Sequence, residues 1–222
     1  MTAFSQNSTP AMNTNNETSK KPLHYECNMS SDLHKRGCDL IEQGNLESAM
    51  KVLRKALQIR SSIYGEEHIN IATTLYNIGR IYHDREEYSF ALTIYQKALQ
   101  MQRNTLSTKD HVSIISTMVN IGRVHHLGGN LKEALQTYLD LIRIVINKVG
   151  SNHPFIPNIL KSIGNIRLEM GDTKRGIEYL TRASLIENMN GGDSKDNKDE
   201  ALMSTSIMLS RCSLQSPNAA AA

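Results

Sequence analysis

The tetrapeptide Asn-Ile-Gly-Arg occurs twice in the chain, at residues 77–80 and 120–123. On a helix, residues three positions apart share a face, so each unit would present an amide beside a guanidinium. An asparagine amide can pair with a peptide backbone, and an arginine can bind a carboxylate through two N–H groups. The pattern favours binding of an acidic peptide or a free C-terminal carboxylate. In the alternative, Arg80 and Arg123 are solvated or pair with neighbouring glutamates.

The sequence lacks the motifs of three common enzyme classes. It has no His-Glu-x-x-His, no Gly-x-x-x-x-Gly-Lys-Ser/Thr loop and no Gly-x-Ser-x-Gly elbow. His125 and His126 are adjacent, so on a helix they point in different directions and do not chelate together. Cys27, Cys38 and Cys212 have no metal-ligand spacing, and Cys38 is interpreted as an ordinary half-buried thiol. We therefore expect no catalytic residue, no metal site and no cofactor.

Composition and charge exclude several classes of partner. The net charge of +3, from 25 basic and 22 acidic residues, is too mild to indicate a nucleic-acid partner. No stretch reaches the ~18 apolar residues that a membrane helix needs. The Asn-, Ser- and Thr-rich N-terminal segment has no apolar signal core. These features predict a cytoplasmic protein with no membrane partner.

Small residues and histidines return along the chain every 42 or 43 residues. Several independent tracks with one period indicate an array of one structural unit. The histidines are interpreted as loop or helix-start residues because they repeat with the array. The tracks are Gly37, Gly79, Gly122 and Gly164; Ala49, Ala91, Ala134 and Gly176; and His68, His111 and His153.

Each unit is predicted to be a pair of helices, because its apolar residues recur three and four positions apart. Glycine costs about 1 kcal/mol in a helix relative to alanine, so four periodic glycines indicate close helix packing. We predict that each glycine faces the small residue of the second helix, as Gly79 would face Ala91. The residues after the inter-helix glycines are predicted to cap the second helices: Asn45, Asn130 and Asp172.

The pattern resembles the tetratricopeptide repeat. The second unit shows it most fully, with Leu75, Gly79 and Tyr82 on its first helix. Its second helix carries Ala91, Tyr95 and Ala98. Departures from the family pattern are Arg36, His125, Leu141 and Arg167. The usual repeat is ~34 residues long, and the longer period here, with the Gly-x-x-His-Pro loop at residues 150–154, is similar to that of kinesin light chains.

The resemblance implies an all-α fold, a right-handed α-solenoid of about four helix hairpins with a C-terminal capping helix. The predicted organisation is a disordered segment at 1–31, the repeat array at 32–188 and a polar loop at 189–199. The capping helix follows at 200–212 and a disordered tail at 213–222.

In this family the first helices line a concave groove, which implies a non-catalytic scaffold or adaptor that holds an extended acidic peptide. Three alternatives remain: a kinesin-light-chain-like cargo adaptor with a motor or cytoskeleton-associated partner, a self-associating structural protein, and the remnant of an enzyme-linked protein. Polar groove positions include Ser116, Asn158 and Ser162. The candidate peptide-binding residues are Lys35, Tyr76, Asn77, Arg80, His83, Asn120, Arg123, His126, Lys161 and Asn165.

Overall fold

The computed structural model describes residues 23–107, 112–149 and 155–191, which form eight α-helices and no strand. The predicted capping helix and tail, and most of the polar loop before them, lie outside the described residues. None of the described helices has the length and apolar character needed to cross a bilayer. The helices are α1 (Leu23–Glu42), α2 (Leu46–Tyr64), α3 (Ile69–Asp84), α4 (Tyr88–Thr105), α5 (Val112–Leu127), α6 (Leu131–Val149), α7 (Phe155–Glu169) and α8 (Thr173–Gly191).

Consecutive helices pair into four hairpins, and each hairpin stacks on the next. The second helix of one hairpin packs against the first helix of the following one, and α1 and α5 both touch α3. Apolar side chains fill the joints. Met50 of α2 shares a core cluster with Ile78 and Ile81 of α3, and Tyr95 of α4 shares one with Ile121 of α5. The predicted all-α repeat fold is confirmed, with its core running between the hairpins.

The turn inside each hairpin is closed by backbone hydrogen bonds. In the first hairpin, the N–H of Gly44 donates to the carbonyl of Ile41 at 2.9 Å, and that of Asn45 donates to Leu40 at 2.8 Å. Gly44 has φ +74°, which glycine adopts at little cost. The second hairpin places Glu86 in the same region at φ +60°.

The predicted capping role of Asn45 is wrong, because its side chain makes no capping hydrogen bond. With φ −86° and ψ 61°, Asn45 is not in the extended conformation that aims a side chain at the helix start. Asp172 Oδ1 does accept from the Arg175 N–H, at 3.4 Å. His68 occupies a helix start as predicted, since its Nδ1 accepts from the Asn70 N–H at 3.1 Å at the start of α3.

The periodic glycines make room for a large side chain, and the predicted pairing with alanine is therefore corrected. A Cβ on Gly79 would lie 2.7 Å from the Tyr95 ring, and one on Gly122 would lie 2.9 Å from Tyr138. These rings stand four residues beyond the periodic alanine, which is itself fully buried. One helical turn separates the two positions, so they share a face and the longer side chain reaches the glycine. Gly37 faces Leu53 in the same way. Gly164 faces Leu180 and also Gly176, whose carbonyl oxygen would lie 3.1 Å from a Cβ on Gly164, so the predicted pairing of small residues holds in the fourth hairpin.

The first helix is longer than the array boundary at residue 32 implies, because α1 begins at Leu23. Ser30 is buried, and the Tyr64 hydroxyl at the end of α2 lies 3.7 Å from Cys27 Sγ. Residues 23–31 therefore form the part of the hairpin that packs on the end of α2, whereas residues 1–22 of the predicted disordered segment lie outside the described residues. At the other end, α8 continues to Gly191, past the predicted loop start at 189.

Candidate functional site

Side chains of successive first helices meet on one face of the array. Asn120 Nδ2 of α5 donates to the Tyr76 hydroxyl of α3 at 3.0 Å, and both residues border a cavity that Asn158 of α7 also lines. We call this the first-helix face, defined by Tyr76, Arg80, Asn120, Arg123 and Asn158. The structure thus brings together residues that are more than forty positions apart in the sequence.

Arg80 and Arg123 have no carboxylate partner among the described residues. Arg80 is half-buried, and its Nη1 reaches only the amide oxygen of Asn77, at 3.4 Å. Arg123 is exposed. Some other arginines do have a carboxylate partner, as in the 2.6 Å contact of Arg85 Nη2 with Glu47 Oε1. The two arginines therefore keep their hydrogen-bonding capacity for an external anion.

His83 lies beside these two arginines and is uncharged near neutral pH. Burial lowers the pKa of His83, and the positive charges of Arg123 and Arg80 lower it further, while Asp84 acts in the opposite direction. The His83 side chain is only 12% exposed, and its Nδ1 lies 3.8 Å from Asp84 Oδ1. Its ring centroid is 6.4 Å from that of Tyr88. The local positive charge is therefore carried by the guanidinium groups.

Asn77 is buried, in contrast to the exposed groove position expected from the sequence. Its Nδ2 lies 3.3 Å from Cys38 Sγ and 3.4 Å from His34 Nε2, both on α1. Asn77 is 5% exposed, so its amide holds α3 against α1. Its position one turn before Arg80 is as the helix spacing requires, but the neighbouring hairpin covers it.

A polar cluster that the sequence analysis missed surrounds this contact. Arg60 of α2 is 6% exposed, and its Nη1 donates at 2.7 Å both to the Asn70 carbonyl and to Thr74 Oγ1. Burial and then the charge of Arg60 lower the pKa of His34 to about 4. Burial raises the pKa of the Cys38 thiol. A neutral thiol beside a weakly basic imidazole does not form an activated nucleophile, which agrees with the interpretation of Cys38 as an ordinary thiol.

Two other candidate residues already contact carboxylates. His126 Nε2 lies 2.8 Å from Glu169 Oε1 of α7. Lys161 Nζ lies 2.7 Å from Glu187 Oε1 of α8. Both contacts link helices of the last two hairpins, so these side chains have a structural partner in place of a ligand. Lys35 and Asn165 are exposed on α1 and α7.

A cavity of about 290 Å³ opens on the first-helix face between α3, α5 and α7. Its walls are mainly apolar, and a polar rim includes Asn120. Of the ten candidate peptide-binding residues, Tyr76 and Asn120 line it, and so do the predicted polar groove positions Ser116, Asn158 and Ser162. Val119 could have been found, because it stands 43 residues after Tyr76 on the same helix face. The lining residues are Tyr76, Ile115, Ser116, Val119, Asn120, Tyr138, Phe155, Asn158, Ile159 and Ser162.

Within the described part of the chain, no group of three or more His, Cys, Asp or Glu residues is placed to hold a metal ion. The chemistry available on the first-helix face is therefore that of two guanidinium groups, amide and hydroxyl groups, and an apolar recess. Such a surface can hold an anionic chain with a bulky apolar side chain.

Comparison with known families and structures agrees with the stacked hairpins. Two family models, each described as the tetratricopeptide repeat, match residues 33–104 and 114–155, together just over half of the chain. No curated protein matches the sequence.

Several solved structures share the fold at low sequence identity. BtubC (BKLC) from P. vanneervenii has a TM-score of 0.69 at 18% identity, over 81% of this chain and 70% of that one. A kinesin-light-chain-like protein of Podosopora anserina with nearly identical TPR-like repeats has a TM-score of 0.63 at 15% identity, over 84% and 97%. MamA has a TM-score of 0.56 at 18% identity, over 76% and 84%. At these identities the likeness concerns the fold.

Proposed function

Because this chain belongs to the tetratricopeptide repeat family, we propose that its first-helix face binds an extended acidic segment of a partner protein. Family membership implies a protein–protein interaction scaffold, and the family is generally non-catalytic. The proposal adds the chemistry of the ligand and the place where it binds. Packed hairpins hold the face in shape before the partner arrives, so binding needs little ordering of the protein.

The observation that carries this proposal is the pair of arginines without carboxylate partners. Arg80 and Arg123 occupy equivalent positions of the second and third hairpins, 43 residues apart. A guanidinium matches a carboxylate with two parallel N–H groups, and charge-assisted hydrogen bonds contribute about 1.5–3 kcal/mol each. The candidate Lys161, by contrast, already contacts Glu187. An acidic ligand would supply the partners that the described residues do not.

The cavity supports a second feature of the ligand, a bulky apolar side chain next to the acidic one. Asn120 lines the cavity and stands one helical turn before Arg123, so the apolar and cationic contacts adjoin. Burying one large apolar side chain contributes about 1.5–3 kcal/mol. Asn120 and Asn158 on the rim can pair with the ligand backbone and fix its direction.

The test is binding of an acidic peptide library to the wild-type chain and to Arg80→Glu/Arg123→Glu. The matched control is Lys55→Glu/Lys97→Glu, which makes the same charge change at exposed positions of α2 and α4. We expect the arginine variant to lose binding and the lysine variant to keep most of it. Equal binding by the wild type and both variants would remove the proposal. Equal loss in both variants would reduce it to an effect of net charge.

A second candidate function is that of a kinesin-light-chain-like cargo adaptor. It is favoured by the 42-residue period and by the shared fold, which spans 97% of the Podosopora anserina kinesin-light-chain-like structure. Affinity capture followed by mass spectrometry, with Arg80→Glu/Arg123→Glu as the reference, tests it. Recovery of a motor subunit by the wild type alone would support this function. Recovery of only non-motor partners would argue against it.

A further inference from the structure

The last described helix leaves an apolar position open that the other hairpins cover. Ile177 follows the small residue Gly176, as Met50 follows Ala49 and Leu135 follows Ala134. Met50 is 5% and Leu135 is 8% exposed, whereas Ile177 is 55% exposed. Leu92, which follows Ala91 in the second hairpin, is partly buried against the cluster that contains Ile121 and Val124. The same side-chain position is therefore covered inside the array and open at its end.

The next first helix provides the cover wherever it is described. Met50 shares a cluster with Ile78 and Ile81, which stand 28 and 31 residues further along the chain. Leu135 shares a cluster with Ile163 and Ile166, at the same two separations. Applied to Ile177, these separations lead to positions 205 and 208, which are Thr205 and Met208.

The sequence around those positions continues the pattern of a first helix. Ser206 stands 42 residues after Gly164, at the small-residue position of every hairpin. Leu202 stands 42 residues after Leu160, and Met208 stands 42 after Ile166. Both reference residues are buried.

We propose that residues 200–212 dock on α8 as the first helix of a fifth hairpin, in register with the other four, with Met208 covering Ile177. End units of repeat arrays are covered in this way because an open apolar face is exposed to water. The residues between Gly191 and this segment are few and polar, so the segment stays within reach of α8. A short tether of this kind gives a millimolar effective concentration, which favours this segment over a second copy of the chain.

The experiment uses tryptophan as a reporter, since the chain contains none. In the full chain, Ile177→Trp is expected to show blue-shifted emission and several-fold weaker acrylamide quenching than in the variant that also carries Met208→Asp. The control is Phe90→Trp, at a 61% exposed position of α4 away from the open end. Its emission is expected to be unchanged by Met208→Asp.

A disulfide test provides an independent check, because the tryptophan reporter itself replaces one of the two residues proposed to be in contact. In a chain with the three native cysteines changed to serine, Ile177→Cys/Met208→Cys is expected to form an intramolecular disulfide on mild oxidation. Ile177→Cys/Ser210→Cys is expected not to, because the proposed register turns position 210 away from α8. An exposed reporter combined with no disulfide would overturn the proposal. So would burial that increases with protein concentration, because the occupant would then be a second copy.

Discussion

Replacing Gly79 with alanine tests whether intrinsic helix preference or side-chain packing has the larger effect on the stability of the protein. Alanine is favoured over glycine in a helix by about 1 kcal/mol, so local preference alone predicts a more stable protein. The structure predicts that Gly79→Ala makes the protein less stable. The added Cβ would lie 2.7, 2.8 and 3.2 Å from three carbons of the Tyr95 ring.

The Tyr95 ring has no free space into which to move. It is 0% exposed, its centroid is 5.8 Å from that of Tyr76, and it shares a cluster with Ile121 and Val124 of the next hairpin. Overpacking of this kind costs typically 1–3 kcal/mol. Because the ring is rigid and enclosed, we place the cost near the upper end, so the net destabilisation of Gly79→Ala is roughly 1–2 kcal/mol. That corresponds to a decrease in Tm of about 2–8 °C.

The assay is urea unfolding followed by circular dichroism in a double-mutant cycle. The cycle compares the wild type, Gly79→Ala, Tyr95→Ala and the double variant. With the ring removed, Gly79→Ala is expected to stabilise by about 1 kcal/mol, the intrinsic helix preference. The sign of the Gly79→Ala effect therefore reverses between the two backgrounds. Stabilisation by Gly79→Ala in the wild-type background would refute the packing argument.

Three further predictions concern the core, the polar cluster and the cavity. Ala91→Arg places a charge at a 0% exposed position between helices, so it is expected to unfold more than one hairpin. The measurement is the loss of helical circular dichroism, and the control is Thr93→Arg at an exposed position of the same helix. Burial and the charge of Arg60 lower the pKa of His34 from 6.5 to about 4. As the pH falls, His34 is therefore protonated in the unfolded chain before it is protonated in the folded one. The stability that is present above pH 6.5 is lost as the pH falls towards 4. The urea midpoint of His34→Gln is expected to fall less than that of the wild type over this interval. Ser116→Phe, at the cavity wall, is expected to weaken binding of acidic peptides about tenfold, a loss of ~1.4 kcal/mol, with an unchanged unfolding midpoint.

The repeat fold could be predicted from the sequence because its causes are local. Hairpin length, the apolar face of each helix and the position of each turn depend on residues within a few turns of one another. The periodic glycines and alanines indicate the hairpin length and the contact face of each helix directly. The predicted start of the array at residue 32 differs from the start of α1 at Leu23 for a related reason. Residues 23–31 show no apolar period, and their contact with the end of α2, through Cys27 and Tyr64, places them in the hairpin.

The candidate site could be predicted only in part. The sequence placed Tyr76, Arg80, Asn120 and Arg123 on one side of their helices, and in the structure these residues lie on one face. It did not show that Asn77 is covered by α1 or that Val119 and Phe155 enclose a cavity.

The amino-acid sequence alone determined the repeating unit and the face that each helix turns away from its partner, because helix periodicity and small contact residues are set within one hairpin. Only the tertiary structure decided which of those side chains meet. The rotation and shift of each hairpin on the next set the depth of Asn77 and the cavity between α3, α5 and α7. Those quantities arise from packing between units more than forty residues apart, which no local pattern encodes.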